Sequence, residues 1–118
     1  MERIIINHQS GKARQASKNP KIKEFLFKTH PKRNILSIRS LRLDHIIPFS
    51  ISIDNSIDNF QLLTLREHNE KSGKDRTILN QMKKEGWIER VSGYSIELKR
   101  DISFLKEEYL KRFELLSK

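Results

Sequence analysis

The sequence predicts an α+β fold, and three observations carry that prediction. Two short apolar stretches, residues 41–49 and 59–65, flank the turn-forming run SISIDNSID, the pattern of an antiparallel hairpin with a long loop. Farther along, Ser92-Gly93 separates residues 87–91 from 94–98, which reads as a second, tight hairpin. The chain then closes with Ile102, Leu105, Tyr109, Phe113 and Leu116 at helical spacing, the stripe of an amphipathic helix.

From the N-terminus, Ile4-Ile5-Ile6 is a candidate short strand. Residues 8–19 (HQSGKARQASKN) are polar, basic and poor in apolar anchors, so they read as an arm. Asn19 suits a helix cap and Pro20 the first helical position. The expected helix runs through KIKEFLFKTH, with Ile22, Phe25 and Leu26 on one side, and stops at His30-Pro31. Residues 32–40 leave helix and strand open, since Ile35, Leu36 and Ile38 do not settle on one period.

In residues 41–49, Leu41, Leu43, His45 and Ile47 alternate with Arg42, Asp44 and Ile46, the signature of a strand that ends at Pro48. After the second strand a short helix is expected to begin near Thr64–Glu67, to carry His68 and Lys71 on one face, and to stop at Ser72-Gly73. A separate helix follows over residues 75–84, with Ile78, Leu79 and Met82 inward and Gly86 at its end. Asp101 is a suitable N-cap for the last helix. The sequence contains no internal repeat and no low-complexity tract.

Composition narrows the function classes. The 118 residues suit one domain with a modest core. The expected layout is a basic arm and helix over 1–40, the motif region over 41–74, and helix, hairpin and helix over 75–118. No apolar run approaches the length of a membrane span, and the N-terminus lacks a signal-peptide core, so a cytoplasmic protein without a membrane partner is expected. Cysteine is absent, which removes disulfides and thiolate zinc sites. The net charge of +9 is uneven: residues 1–40 carry ten Lys/Arg against two acids, while 41–74 carry four against five. A basic arm beside a slightly acidic centre suits a polyanionic partner with a cation site at that centre.

The centre holds the chemistry-bearing residues. Asp44-His45 is followed by Ile-Ile-Pro, Asn59 opens Phe-Gln-Leu-Leu, and His68-Asn69 precede Lys71. At this spacing the stretch 41–74 resembles the HNH (ββα-metal) endonuclease family without a gap. The resemblance implies a small ββα-metal core with flanking helices, a C-terminal hairpin and a helix. It implies a metal-dependent nuclease that hydrolyses phosphodiester bonds in DNA, double-stranded first of all. By the same resemblance, His45 is the general base, Asn59 orients it through a hydrogen bond, and Asp44 and His68 are the metal ligands, with Asn69 as the alternative to His68. Imidazole suits the base because it titrates near neutrality. Two protein ligands leave most of a metal's shell to water and phosphate, which suits Mg²⁺, with Mn²⁺ or Ni²⁺ as substitutes. Structural zinc is not expected: the zinc-binding members of the family use further histidines, and Ser72 stands one turn after His68.

Asp44 and His45 are adjacent, so on a flat strand they face opposite ways. Both reach one phosphate only where the strand ends or distorts. Lys12, Arg14, Lys18, Lys21, Lys23, Lys32 and Arg33 are candidate phosphate contacts on the basic arm, and Lys71 and Lys74 are candidates beside the motif. One active site per chain nicks DNA unless two chains act together, so a homodimer is a further candidate assembly. The competing reading is a binding module: residues 76–98 resemble the helix and wing of winged-helix DNA-binding domains.

Overall fold

The computed structural model describes residues 4–7, 20–92 and 95–118. It is a mixed helix-and-strand protein, as the α+β expectation had it. Strand β1 (Ile4–Asn7) falls on the isoleucine run and pairs antiparallel with a strand from the far end of the chain. The expected arm over 8–19, with Lys12, Arg14 and Lys18, lies outside the described residues, as do Gly93 and Tyr94. Helix α1 (Pro20–Phe27) starts at the proline and gives way to turns before Pro31. The ambiguous stretch 32–40 is turns ending in a single 3₁₀ turn, Ile38–Ser40.

Strands β2 (Leu41–His45) and β3 (Phe60–Thr64) form a two-stranded antiparallel sheet in the register Asp44↔Gln61 and His45↔Phe60. The first strand is shorter than its alternation suggested. Ile46-Ile47-Pro48 leaves the ladder, and Pro48 precedes a one-turn helix, α2 (Phe49–Ser52), where the sequence indicated the end of the strand stretch at Phe49 and loop from residue 50. That turn is buried throughout, which explains why its Phe49 and Ile51 looked like strand and loop residues. Ile53 closes it in the left-handed region at φ 51°, an unfavourable conformation for a β-branched residue that the surrounding contacts must sustain.

Helix α3 (Leu65–Lys84) is one uninterrupted element of 20 residues, which corrects the expected break at Ser72-Gly73. Its start is well specified. Thr64 Oγ1 accepts from the Glu67 backbone at 3.2 Å, and Glu67 Oε1 accepts from the Thr64 backbone at 2.9 Å, a reciprocal capping box. The Thr64 backbone bond is also the main reason the Glu67 carboxyl lies below its ordinary range. A mid-helix glycine costs about 1 kcal/mol. Burying Ile78 and Met82, both fully inaccessible, is worth about 1.5–3 kcal/mol each, so packing overrides the local stop signal. The helix ends where expected, with Gly86 at φ 75° and its N–H on Lys83 O.

Strands β4 (Ile88–Ser92) and β5 (Ser95–Leu98) pair antiparallel, and β5 lies between β4 and β1 in a three-stranded sheet. Helix α4 (Ile102–Leu116) closes the chain. The core gathers Phe49 and Ile51 of α2, Ile78 and Met82 of α3, Ile88, Ile96 and Leu98 of the larger sheet, and Leu105 and Tyr109 of α4. Of the predicted stripe on α4, Leu105 and Tyr109 are buried and Leu116 is exposed. Asp101 occupies the N-cap position without a side-chain bond to the helix. Among the described residues no helix is long and apolar enough to cross a membrane.

Candidate active site

The smaller sheet lays its Asp44–Gln61 pair against the first turns of α3. The Asp44 carboxylate divides its work between its two oxygens. Oδ2 accepts from Gln61 Nε2 at 3.1 Å and pairs with Lys71 Nζ at 3.0 Å. Oδ1 faces His68 Nδ1 at 3.6 Å, too far for a hydrogen bond. His68 Nδ1 is buried and has no hydrogen-bond partner among the described residues. A buried ring nitrogen without a partner is costly, and here it faces a carboxylate oxygen that accepts no hydrogen bond among the described residues. Two donors 3.6 Å apart are both within reach of one small cation bonded at about 2.0–2.2 Å. The pair therefore fits a divalent metal. Among the described residues no group of three His, Cys, Asp or Glu converges, so the fit is to a cation that takes two protein ligands. Asn69, the alternative to His68, is exposed one residue farther along α3.

His45 is the last residue of β2, and the expected alternation persists there. Asp44 meets α3, whereas the His45 ring packs on Phe60 and Phe49, with centroids at 4.5 and 5.8 Å. Its Nε2 donates to Asn55 Oδ1 at 2.7 Å. That bond assigns the ring proton to Nε2 and leaves Nδ1 with its lone pair, the arrangement a base requires.

Asn59 does something other than the expected hydrogen bond to the imidazole. Its Oδ1 accepts from Ile47 N at 2.9 Å, and its Nδ2 donates to Ile47 O at 3.0 Å and Asp54 O at 2.9 Å. Its backbone carbonyl accepts from Ile46 N at 2.8 Å. Asn59 thus braces the loop that leaves His45. The hydrogen bond to the imidazole that was expected of Asn59 is made by Asn55. The loop between them is further fixed by Asp54, whose Oδ1 accepts from Ser56 N at 2.8 Å; the Ser56 bonds hold the Asp54 carboxyl below its ordinary range.

Lys71, expected at a phosphate, is only 6 % exposed and its ammonium is taken up internally. It donates to His45 O at 2.9 Å and to Asp75 Oδ2 at 2.8 Å, besides its pairing with Asp44. With three N–H groups and three acceptors it has nothing left for DNA. Formally, two carboxylates surround one ammonium, so the cluster keeps one negative charge that favours a cation nearby. Lys74 is half-buried, donates to Ser117 Oγ at 3.2 Å and lies over the Phe113 ring. An open cavity of about 220 Å³ adjoins Lys71 and Lys74. Glu67 and Glu70 on its rim make it a poor seat for a phosphodiester. Lys32 and Arg33 are exposed, with Arg33 bonded to His30 O; Lys21 is exposed and Lys23 partly so.

Sequence reasoning missed Asn55, Gln61, Asp75 and Tyr109. Asn55 sits in a run of turn formers, and Gln61 and Asp75 are ordinary polar residues in a strand and a helix. Tyr109 is visible only as one member of an apolar stripe.

An antiparallel strand pair feeding a helix, with a carboxylate and an imidazole facing each other between them, defines a class of α+β protein. The sequence model of the HNH endonuclease family matches residues 28–78, so the chain's resemblance to that family is shown over this stretch. The match takes in β2, α2, β3 and the first two-thirds of α3, and ends before β4, β5 and α4. Comparison with curated proteins and with solved structures found no match.

Proposed function

We propose that the protein is a metal-dependent endonuclease that hydrolyses phosphodiester bonds in DNA, with β2, β3 and the start of α3 serving as a ββα-metal unit. The observation that carries this reading is the buried, unpartnered His68 Nδ1 facing the free Oδ1 of Asp44 at 3.6 Å. Asp44 and His68 hold the divalent cation, Mg²⁺ in the first instance. When bound, the cation supplies positive charge to the phosphate as negative charge develops on it. His45, held by Asn55 with its proton on Nε2, takes the proton of the attacking water at Nδ1. The strand ends at His45, so a phosphate seated over that end meets Asp44 from one face and His45 from the other. Exposed cations of α1 and the following turns, Lys32 and Arg33 among them, serve as phosphate contacts that position DNA without reading its sequence.

The winged-helix alternative loses ground on one point. The segment that would be its recognition helix is the second half of α3, continuous with the turns that carry His68 and Lys71.

Cleavage of supercoiled plasmid in Mg²⁺, and its loss in chelator, tests the activity. His45→Ala should lower the rate by roughly 10²–10⁴, the usual worth of a general base, while metal-free DNA binding is retained. Near wild-type turnover in that variant would overturn the assignment.

A further inference from the structure

Helix α4 lies wholly outside the stretch that matches the HNH family, yet it reaches the site. Tyr109 is 1 % exposed and its hydroxyl donates a short hydrogen bond to Asp75 Oδ1. The other oxygen of Asp75 accepts from Lys71 Nζ at 2.8 Å, and Lys71 in turn holds Asp44 Oδ2 at 3.0 Å and His45 O at 2.9 Å. The Tyr109 ring lies beneath the same ammonium, 5.9 Å from it to the centroid. Lys71 Nζ is the branch point of this chain, shared among Asp75, Asp44 and His45 O, and each link is buried or nearly so.

We propose that Tyr109 and Asp75 are positioning residues that act through Lys71 to aim Asp44 Oδ1 at His68, which makes α4 part of the active site. The inference rests on the reading above, in which Asp44 and His68 hold the cation.

Lys71 sits between two carboxylates, those of Asp44 and Asp75. Asp75 competes with Asp44 and His45 O for the ammonium, and that competition is weakened because one oxygen of Asp75 is occupied by the phenol. Burial, and then Asp75, keep the Tyr109 hydroxyl protonated far above its ordinary range, so the donor is present at every working pH. Without it, Asp75 draws Lys71 toward itself, Asp44 Oδ2 loses its charged anchor, and the carboxylate turns on its own axis. Core filling alone does not need the hydroxyl, since phenylalanine has the same ring. Nor does docking of α4 on α3 depend on it: Arg112 already bridges the two helices, to Glu85 Oε2 at 2.9 Å and Gln81 Oε1 at 3.1 Å.

The test uses the full chain and Mn²⁺ as the probe, with affinity read by calorimetry without DNA and stability read by urea unfolding. Tyr109→Phe should weaken Mn²⁺ binding roughly tenfold, the lower end of what supporting groups around a metal contribute. In an Asp75→Asn background the same substitution should have no further effect, because the link is already cut. Arg112→Gln should lower the urea midpoint and leave Mn²⁺ affinity unchanged. Binding that is unmoved by Tyr109→Phe, or moved equally in both backgrounds, overturns the proposal alone. If the unaltered chain binds no Mn²⁺, or His68→Ala binds it as well as wild type, the two-ligand reading beneath it falls too. Should Tyr109→Phe fail to fold, Asp75→Asn alone carries the expectation, since it sets an amide donor against Lys71 or Tyr109; unchanged Mn²⁺ affinity there overturns the proposal equally.

Discussion

The His45 imidazole donates from Nε2 to Asn55 Oδ1 at 2.7 Å, across ten residues of a loop that leaves β2 and returns to β3. This bond fixes the ring about its axis between Phe49 and Phe60 and determines which nitrogen is free. Asn55→Ala should therefore lower the cleavage rate roughly ten- to a hundredfold, less than expected for His45→Ala under the proposed mechanism, with DNA affinity in chelator unchanged. Asn55→Asp should keep the acceptor and most of the rate. Its carboxylate stabilises the imidazolium, so the acidic limb of the rate profile should move to higher pH. A rate for Asn55→Ala equal to wild type would show that packing on the two phenylalanines suffices.

Asn59 should fail differently, because its amide serves the backbone of the loop. Asn59→Ala leaves the buried Ile47 N–H without an acceptor, whereas Ile47 O retains Ser52 Oγ at 3.3 Å. Leaving one buried donor and part of two acceptors unpaired should cost about 2–3 kcal/mol of stability, read as a lower urea midpoint. Any loss of rate should track loss of the folded loop, so that temperature or a stabilising osmolyte restores part of it. No such rescue is expected for His45→Ala.

The two asparagines show how far the sequence was legible. Asp44, His45, Asn59 and His68 stand out because their spacing is set by a strand, a loop and a strand of fixed lengths. The strand pair follows from alternation, and the start of α3 is expected near Thr64–Glu67 without appeal to the capping box that fixes it. Asn55 was hidden because asparagine in a turn-rich run has many structural uses, and its partner is distant in sequence. Lys71 was misassigned for a related reason: lysine reads as a solvated cation unless the two carboxylates that bury it are known to converge. Tyr109 read as apolar because periodicity registers its ring and is blind to its hydroxyl.

Gly73 marks the other failure, and it yields a prediction of opposite sign. The residue is exposed within α3, has no positive φ, and a Cβ added there would meet nothing within 4 Å. Local chemistry alone read Ser72-Gly73 as a stop, but the burial of Ile78 and Met82 carries the helix through. Gly73→Ala should stabilise the protein by about 0.5–1 kcal/mol, through helix propensity and a less flexible unfolded chain. The urea midpoint should rise with an unchanged slope. A fall would mean that α3 needs the glycine for a departure from regular helix in solution.

The choice between His68 and Asn69 as the second metal ligand can be settled by which substitution changes the response to metal. Successive residues on a helix differ by about 100° in direction, so they cannot share one cation. Here His68 presents a buried Nδ1 to Asp44, while Asn69 is exposed. His68→Ala should remove a ligand and with it most cleavage, and raise the Mg²⁺ or Mn²⁺ concentration needed for half-maximal rate at least tenfold. It should also relieve the cost of an unpartnered buried nitrogen, so the folded chain without metal should be no less stable and the loss of rate cannot be ascribed to unfolding. His68→Asn offers a shorter neutral ligand from the same helical position and should recover part of the activity. Asn69→Ala should leave the metal response within about twofold of wild type, as expected for a surface substitution away from the site. An inactive Asn69→Ala beside an active His68→Ala would move the ligand by one residue and require α3 to turn by about 100° on binding metal, which the buried contacts of Lys71 and Ile78 oppose.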